Sequence, residues 1–104
     1  MWYAANLLFQ SEHSTVSDKE NLWEESIRLI QADSTDQAMQ KAKELGQRSE
    51  VSYLGEEADL VKWKFVRVER IFEIDDEKLK DGTEVFSRFL RASEVESMLT
   101  SFDD

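Results

Sequence analysis

Met1-Trp2-Tyr3-Ala4-Ala5-Asn6-Leu7-Leu8-Phe9 opens the chain with an apolar run that predicts a first strand over Trp2–Ser11. Successive side chains of a strand point to opposite faces of the sheet. One face therefore carries Tyr3, Ala5, Leu7 and Phe9, and the other carries Trp2, Ala4, Asn6 and Leu8. We expect the first of these faces to lie in the core, because it holds two large aromatic side chains and excludes the polar Asn6.

Length and composition limit the class of protein. A chain of 104 residues predicts a single domain over 1–104, and 40% hydrophobic with 35% charged residues is typical of a globular fold. The absence of cysteine excludes disulfides and cysteine-ligated metals. No segment approaches the ~18–20 apolar residues of a membrane helix. Because the first strand follows Met1 directly, without a signal sequence, we expect a complete chain that is cytoplasmic.

The sequence is strongly acidic, with 23 Asp and Glu against 13 Lys and Arg and a formal net charge of −10. Binding to nucleic acid depends on Lys and Arg that neutralise phosphates. We therefore expect no nucleic-acid partner, and we expect no membrane partner either. An acidic surface keeps a small domain soluble and attracts basic partners. The partner predicted is another protein or a second copy, and no cofactor is expected.

A second strand and a helix follow the first strand. Leu22–Ala32 predicts a strand that pairs antiparallel with the first, with Trp23, Ile27 and Leu29 on one side. Ser34-Thr35-Asp36-Gln37 has the spacing of a capping box and predicts the start of a helix over Ser34–Leu45. Gly46 is expected to end that helix.

The second half of the chain predicts three more strands and a short helix. Val51 and Tyr53 mark a third strand, and Leu60–Ile74 marks a long fourth strand. The apolar alternation of the fourth strand changes phase at Phe65-Val66, which predicts a bulge or a bend.

The turn signal Asp81-Gly82 precedes a fifth strand over Glu84–Leu90. Ser93-Glu94-Val95-Glu96 predicts a second capping box and a helix that ends at Leu99 or Phe102. The predicted fold class is α+β, in the order β-β-α-β-β-β-α. It is an antiparallel sheet of about five strands packed against one main helix.

Five blocks of this sequence resemble a known family. They are Met1–Phe9, Trp23–Ile27, Ala38–Gly46, Trp63–Val66 and Asp81–Ser87. In this order the chain resembles the bacterial domain of unknown function 4288 family, from Met1 to about Leu90. The resemblance implies a bacterial, stand-alone domain, with a family-like core over 1–90 and a C-terminal helix and acidic tail over 91–104. It implies no activity, and no catalytic residue carries over.

The sequence contains no constellation that predicts catalysis. His13 is the single histidine, and it is expected at the surface of a polar loop without a nucleophile elbow. Glu24 and Glu25 are adjacent on a strand and point to opposite faces, so they do not share a proton. The other paired acidic residues fall in turns or at the end of the chain. We therefore expect no enzyme activity and no metal site.

Basic residues cluster on the fourth and fifth predicted strands. They are Lys62, Lys64, Arg67, Arg70, Arg88 and Arg91. Such residues are expected to protect a sheet edge or to pair with nearby carboxylates. The alternative is a patch that binds an anionic ligand.

Both faces of the outer strands carry large apolar side chains. A sheet with one main helix leaves its other face to be covered by the C-terminal helix or by another chain. The leading hypothesis is therefore a non-enzymatic protein-interaction domain. Its predicted contact residues are Trp2, Trp63, Phe86 and Leu90.

Two alternatives remain open on the sequence. One is an acidic inhibitor of a basic partner such as a toxin. The other is a small-ligand-binding or hydrolytic domain on the open sheet face, with Glu25, Arg67 and Arg88 as polar groups near Trp63.

Overall fold

A computed structural model describes residues 1–15, 21–75 and 79–100. The elements are β1 (Trp2–His13), β2 (Trp23–Gln31), α1 (Thr35–Arg48), β3 (Val51–Leu54), a 3-10 turn (Glu56–Ala58), β4 (Leu60–Ile74) and α2 (Ala92–Leu99). The four strands form an antiparallel sheet in the order β2-β1-β4-β3. The α+β class and the β1–β2 pairing are confirmed, but the described residues contain four strands and not five.

β1 lies inside the sheet and supplies the core. It pairs with β2 on one side and with β4 on the other. One face of β1 is at most 2% exposed and packs against the side of α1 that carries Ala38. Its side chains are Tyr3, Ala5, Leu7 and Phe9. The face of β1 predicted to be the core face is therefore confirmed.

α1 begins where its sequence predicts. The backbone N–H of Gln37 donates to Oγ of Ser34 at 3.1 Å, and Oε1 of Gln37 accepts from the backbone N–H of Asp33 at 2.6 Å. These bonds satisfy N–H groups that have no partner inside the helix. The small side chains Ala38 and Ala42 let the helix axis come close to the sheet.

The predicted end of α1 at Gly46 is wrong, because the helix continues to Arg48. Gly46 is instead a point of close approach between helix and sheet. A Cβ atom placed on it would lie 2.7 Å from Cζ of Phe65 and closer still to other atoms of that ring. The close approach of Phe65, and not the end of the helix, explains why glycine occupies this position.

β4 contains two irregularities. Phe9 pairs with Phe65 and Leu8 pairs with Arg67, so Val66 is an extra residue between them. This confirms the phase change predicted at Phe65-Val66. A second extra residue, Glu69, separates the next two pairs and was not predicted. The two shifts together keep Phe65, Val68 and Ile71 on the helix side of the sheet.

The predicted fifth strand over Glu84–Leu90 is wrong, because these residues pair with none of the described strands. The segment instead crosses the sheet face opposite α1. The Phe86 ring packs against Phe72 of β4 with centroids 6.1 Å apart, and Nη1 of Arg88 lies 3.4 Å from Oε2 of Glu25 on β2. Between these two anchors the segment passes over β1.

The capping box predicted at Ser93 is wrong, because α2 begins at Ala92 and Ser93 lies inside the helix. Arg91 occupies the N-cap position, and its backbone N–H donates to Oε1 of Glu94 at 3.0 Å. All residues of α2 are exposed, so this helix does not cover the sheet. The expectations for Phe102 and for the final acidic pair lie outside the described residues. Neither described helix has the length and apolar character needed to cross a bilayer.

Candidate functional site

The sheet face opposite α1 is called the second face, and on β1 it carries Trp2, Ala4, Asn6 and Leu8. Its middle is covered, since Ala4 and Asn6 are almost fully buried beneath the segment that holds Phe86 and Arg88. Among the described residues, nothing covers the side formed by β2. The second face therefore divides into a closed middle and an exposed margin.

Three large apolar side chains line the exposed margin. Trp23, Ile27 and Leu29 point from β2 to the second face and are 55%, 47% and 53% exposed. We call these three residues the β2 strip. They share one face of the strand, as the sequence predicts. Glu25 alone interrupts them, and its carboxylate is turned toward Asn6 and Arg88.

The backbone of β2 is open on the same side. The N–H of Ser11 donates to the carbonyl of Leu22 at 2.9 Å, and the N–H of Ala32 donates to the carbonyl of Met1 at 3.0 Å. Residues of an antiparallel strand alternate between facing the partner and facing away. The even-numbered residues of β2 therefore face β1, and the N–H and C=O groups of the β2 strip face outward. In the part of the chain that the structure describes, β2 is the last strand of the sheet on this side.

One outward group at the end of β2 is already bound. Nζ of Lys41 donates to the carbonyl of Gln31 at 2.8 Å. Among the described residues, no hydrogen bond is made to the outward groups of Trp23, Ile27 and Leu29. A row of such groups on an edge strand is a template for pairing with another strand.

A polar network lies under the covered middle of the second face. Nδ2 of Asn6 donates to Oε2 of Glu25 at 2.9 Å, and Arg88 contacts the same oxygen. Asn6 is fully buried, and its Oδ1 has no hydrogen-bond partner among the described residues. The network ties the crossing segment to β1 and β2. The sequence did not indicate that Asn6 is buried in a polar network. Its polarity indicated only that its face of β1 lies outside the core.

The predicted contact residues are dispersed. Trp2 is partly exposed at the end of the second face, and Phe86 and Leu90 are half-buried in the segment that covers it. Trp63 faces the α1 side of the sheet, where it pairs with Ser11. Trp63 therefore lies on the opposite side of the sheet from Trp2.

The grouping predicted for a small-ligand site does not form as a unit. Glu25 and Arg67 flank Leu8 on the second face, but Trp63 lies on the other side of the sheet. Arg88 contacts Glu25 at 3.4 Å, and Arg67 contacts Glu69 at 3.3 Å. Both guanidinium groups are therefore paired within the chain, as is Lys64 with Glu50 at 3.9 Å.

His13 has a partner that the sequence did not indicate. Its Nδ1 lies 2.7 Å from Oδ2 of Asp59, while Oδ1 of Asp59 accepts from the backbone N–H groups of Ser14 and Thr15. Mainly the His13 hydrogen bond, helped by the bonds from Thr15 and opposed by desolvation, lowers the pKa of Asp59 to about 2.

The loop before Asp59 is strained. Glu57 and Ala58 have φ values of 57° and 60°, a region that residues other than glycine rarely adopt. The bond from the N–H of Gly55 to the carbonyl of Asp59 closes this loop at 2.7 Å. Oγ of Ser14 accepts from the N–H of Leu60, so the hydroxyl helps to hold the turn. The cluster joins the end of β1 to the start of β4.

Within the part of the chain that the structure describes, no three His, Asp or Glu side chains are grouped so as to hold a metal ion.

Comparison with known protein families finds a match over most of the chain. The family model described as "Domain of unknown function (DUF4288)" matches residues 2–87, which include all four strands, α1 and Phe86. No curated protein and no solved structure matches the chain. The match ends before α2 and covers well over half of the 104 residues. The chain belongs to the domain of unknown function 4288 family.

Proposed function

We propose that this protein is a bacterial, cytosolic, non-enzymatic interaction domain that binds another protein chain through the β2 edge. The observation that carries the proposal is the β2 strip. It places Trp23, Ile27 and Leu29 about half exposed on a strand whose outward backbone groups are open over the same residues.

Edge strands bind partners by adding a strand to the sheet. Main-chain hydrogen bonds then supply affinity, and alternate side chains supply specificity. Exposed edges are commonly protected by charges, by short length or by a covering element. β3, the other end of the sheet, has only four residues, whereas β2 has nine. The longer edge with the apolar margin is therefore the better docking strand.

Site-specific photo-crosslinking tests the surface. A p-benzoylphenylalanine residue replaces Ile27 in one variant and Val51 in a matched control, and both proteins are irradiated in extract from the native host. Val51 is a suitable control because it is an apolar residue, 56% exposed, on the other edge strand. We expect a discrete covalent adduct from position 27 and none of comparable yield from position 51.

The identity of the adduct separates the versions of this proposal. An adduct with a basic protein would favour the acidic-inhibitor version, in which the net charge of −10 speeds association. An adduct with a second copy would favour self-association. Equal labelling at positions 27 and 51, or no adduct from position 27, would contradict the β2 edge as the contact surface.

A further inference from the structure

We infer that the partner at the β2 edge is a second copy of this chain, paired antiparallel through β2 with the two-fold axis at Ser26. This inference rests on the proposed use of the β2 edge and adds the partner and the register. It would join two four-stranded sheets into one continuous sheet. Such an interface is isologous, so each contact on one copy must find its complement on the other.

Geometry leaves few registers for this pairing. Residues directly opposite each other in one sheet share a face, and only outward-facing residues exchange ladder bonds. A two-fold axis at Glu25 would place like carboxylates opposite each other, and an axis at Arg28 would place like guanidinium groups opposite each other. Directly opposed like charges destabilise a strand pair. Of the four positions from Glu25 to Arg28 at the middle of β2, Ser26 and Ile27 remain as possible axes.

The charges of β2 favour the axis at Ser26. In that register Glu24 of each copy lies opposite Arg28 of the other, on the α1 side of the sheet. The axis at Ile27 would instead place Glu24 opposite Ile30 and Arg28 opposite Ser26. Opposite charges on facing strands are worth about 0.2–1 kcal/mol for each pair. Two symmetric Glu24–Arg28 pairs form with the axis at Ser26, and none forms with the axis at Ile27.

These two charges do not meet within one copy. Glu24 and Arg28 are four residues apart on one strand, which separates them by about 13 Å at ~3.3 Å per residue. Among the described residues neither side chain has an ion-pair partner, and Nε of Arg28 donates to Oγ of Ser26 at 2.7 Å. Both charges therefore remain available to a second copy.

The apolar residues agree with the same register. Trp23 of each copy lies opposite Leu29 of the other on the second face, and both residues have outward backbone groups. The two β2 strips join into one apolar band. Glu25 falls opposite Ile27, but its charge is already engaged by Arg88 and Asn6. The bond from Lys41 to the Gln31 carbonyl limits the pairing to Trp23–Leu29.

Charge exchange tests the register by analytical ultracentrifugation over a concentration series. Glu24→Arg places cations opposite each other in its homodimer, and Arg28→Glu places anions opposite each other. We expect each variant to raise the dimer dissociation constant about tenfold, because two attractive pairs become repulsive. An equimolar mixture of the two variants has complementary pairs at both positions and should dimerise as the unmodified chain does.

Disulfide formation tests the two-fold axis directly, since the chain has no cysteine of its own. Facing residues of a non-hydrogen-bonded pair have Cα atoms about 4.5 Å apart, within the range of about 4.4–6.8 Å that a disulfide spans. Ser26→Cys should therefore oxidise to a covalent dimer. Ile27→Cys, and Gln40→Cys on the exposed side of α1, serve as controls and should remain largely monomeric.

A monomer at ~100 μM, about a hundred times a micromolar dissociation constant, would overturn the second-copy inference. So would more efficient disulfide formation by Ile27→Cys than by Ser26→Cys, or a failure of the mixed charge variants to restore dimerisation. Circular dichroism of each variant establishes that it is folded. The broader proposal has a separate outcome, because a foreign protein crosslinked at position 27 would support the β2 edge while contradicting the homodimer.

Discussion

Asn6 is the residue on which the closed part of the second face depends. Its side chain is fully buried, donates to Glu25 at 2.9 Å and leaves Oδ1 without a partner among the described residues. A buried acceptor without a hydrogen bond costs about 1–3 kcal/mol. The hydrogen bond from Nδ2 of Asn6 to Glu25 is therefore the contact by which this side chain stabilises the fold.

Asn6→Asp should lower the free energy of unfolding by about 3 kcal/mol at neutral pH, because a buried carboxylate would face Glu25 in place of a donor. Burial and the like charge raise the pKa of the new carboxyl group. The loss should therefore shrink as the pH falls through that raised pKa. Urea denaturation at several pH values measures this effect. The exposed Asn21→Asp is the control for added charge, and equal losses in both variants would contradict the buried network.

Asp59 gives the chain an acid-sensitive contact. Its pKa is lowered from 3.8 to about 2, mainly by the His13 hydrogen bond. A carboxylate with a lowered pKa in the folded state stabilises the fold above its unfolded pKa, and this contribution is lost as the pH falls. Asp59→Asn should therefore reduce the change in stability between about pH 4 and pH 2. Chemical denaturation in this range checks the effect, and an unchanged pH profile would contradict it.

The partners of Asn6 and Asp59 could not be predicted from the sequence. The alternation of β1 correctly assigned Asn6 to the face away from α1, because alternation is a local property. Its burial depends on Arg88 and its neighbours, far along the chain. Asp59 lies 46 residues from His13, and a strained loop brings them together. No local pattern encodes either contact.

Gly46 lies where α1 meets β4. Alanine favours a helix over glycine by about 1 kcal/mol, but here its Cβ would overlap the Phe65 ring. Phe65 in turn packs against Phe9 with ring centroids 5.7 Å apart. Overpacking of this kind costs about 1–3 kcal/mol. We therefore expect Gly46→Ala to leave the protein no more stable, and up to about 2 kcal/mol less stable, than the unmodified chain.

Thermal and urea denaturation of a double-mutant cycle with Phe65→Leu measures this contact. The smaller side chain leaves room for the new Cβ, so Gly46→Ala should be less harmful in the Phe65→Leu background. Gln47→Ala at the neighbouring exposed position is the control for helix propensity. Additive effects of Gly46→Ala and Phe65→Leu would contradict the proposed overlap.

Helices and strands could be predicted from the sequence where a few adjacent residues encode them. The Ser34 cap and the phase change at Phe65-Val66 are encoded in a few adjacent residues, and both are present. Glu84–Leu90 alternates like a strand, but alternation does not show whether an edge is available for pairing. The segment crosses the second face instead, with Phe86 toward the sheet and Phe89 fully exposed.

The crossing segment, and not α2, completes the fold. Phe86 is anchored on Phe72, and the family match ends one residue later, at 87. In contrast, Leu99 of α2 is 82% exposed. The C-terminal helix was one of two candidates to cover the second face, and its exposure leaves the β2 margin open for another chain.

Two single substitutions test where the folded unit ends. Phe86→Ala should lower the free energy of unfolding by about 2 kcal/mol, because it removes a half-buried ring from the cover of Ala4 and Asn6. Leu99→Ala should change it by less than about 0.5 kcal/mol, as is usual for exposed positions. Urea denaturation with hydrogen exchange at the β1 amides measures both effects. Faster exchange in Phe86→Ala alone is expected, because β1 lies directly under the crossing segment. A larger loss for Leu99→Ala than for Phe86→Ala would mean that α2, and not the crossing segment, completes the fold.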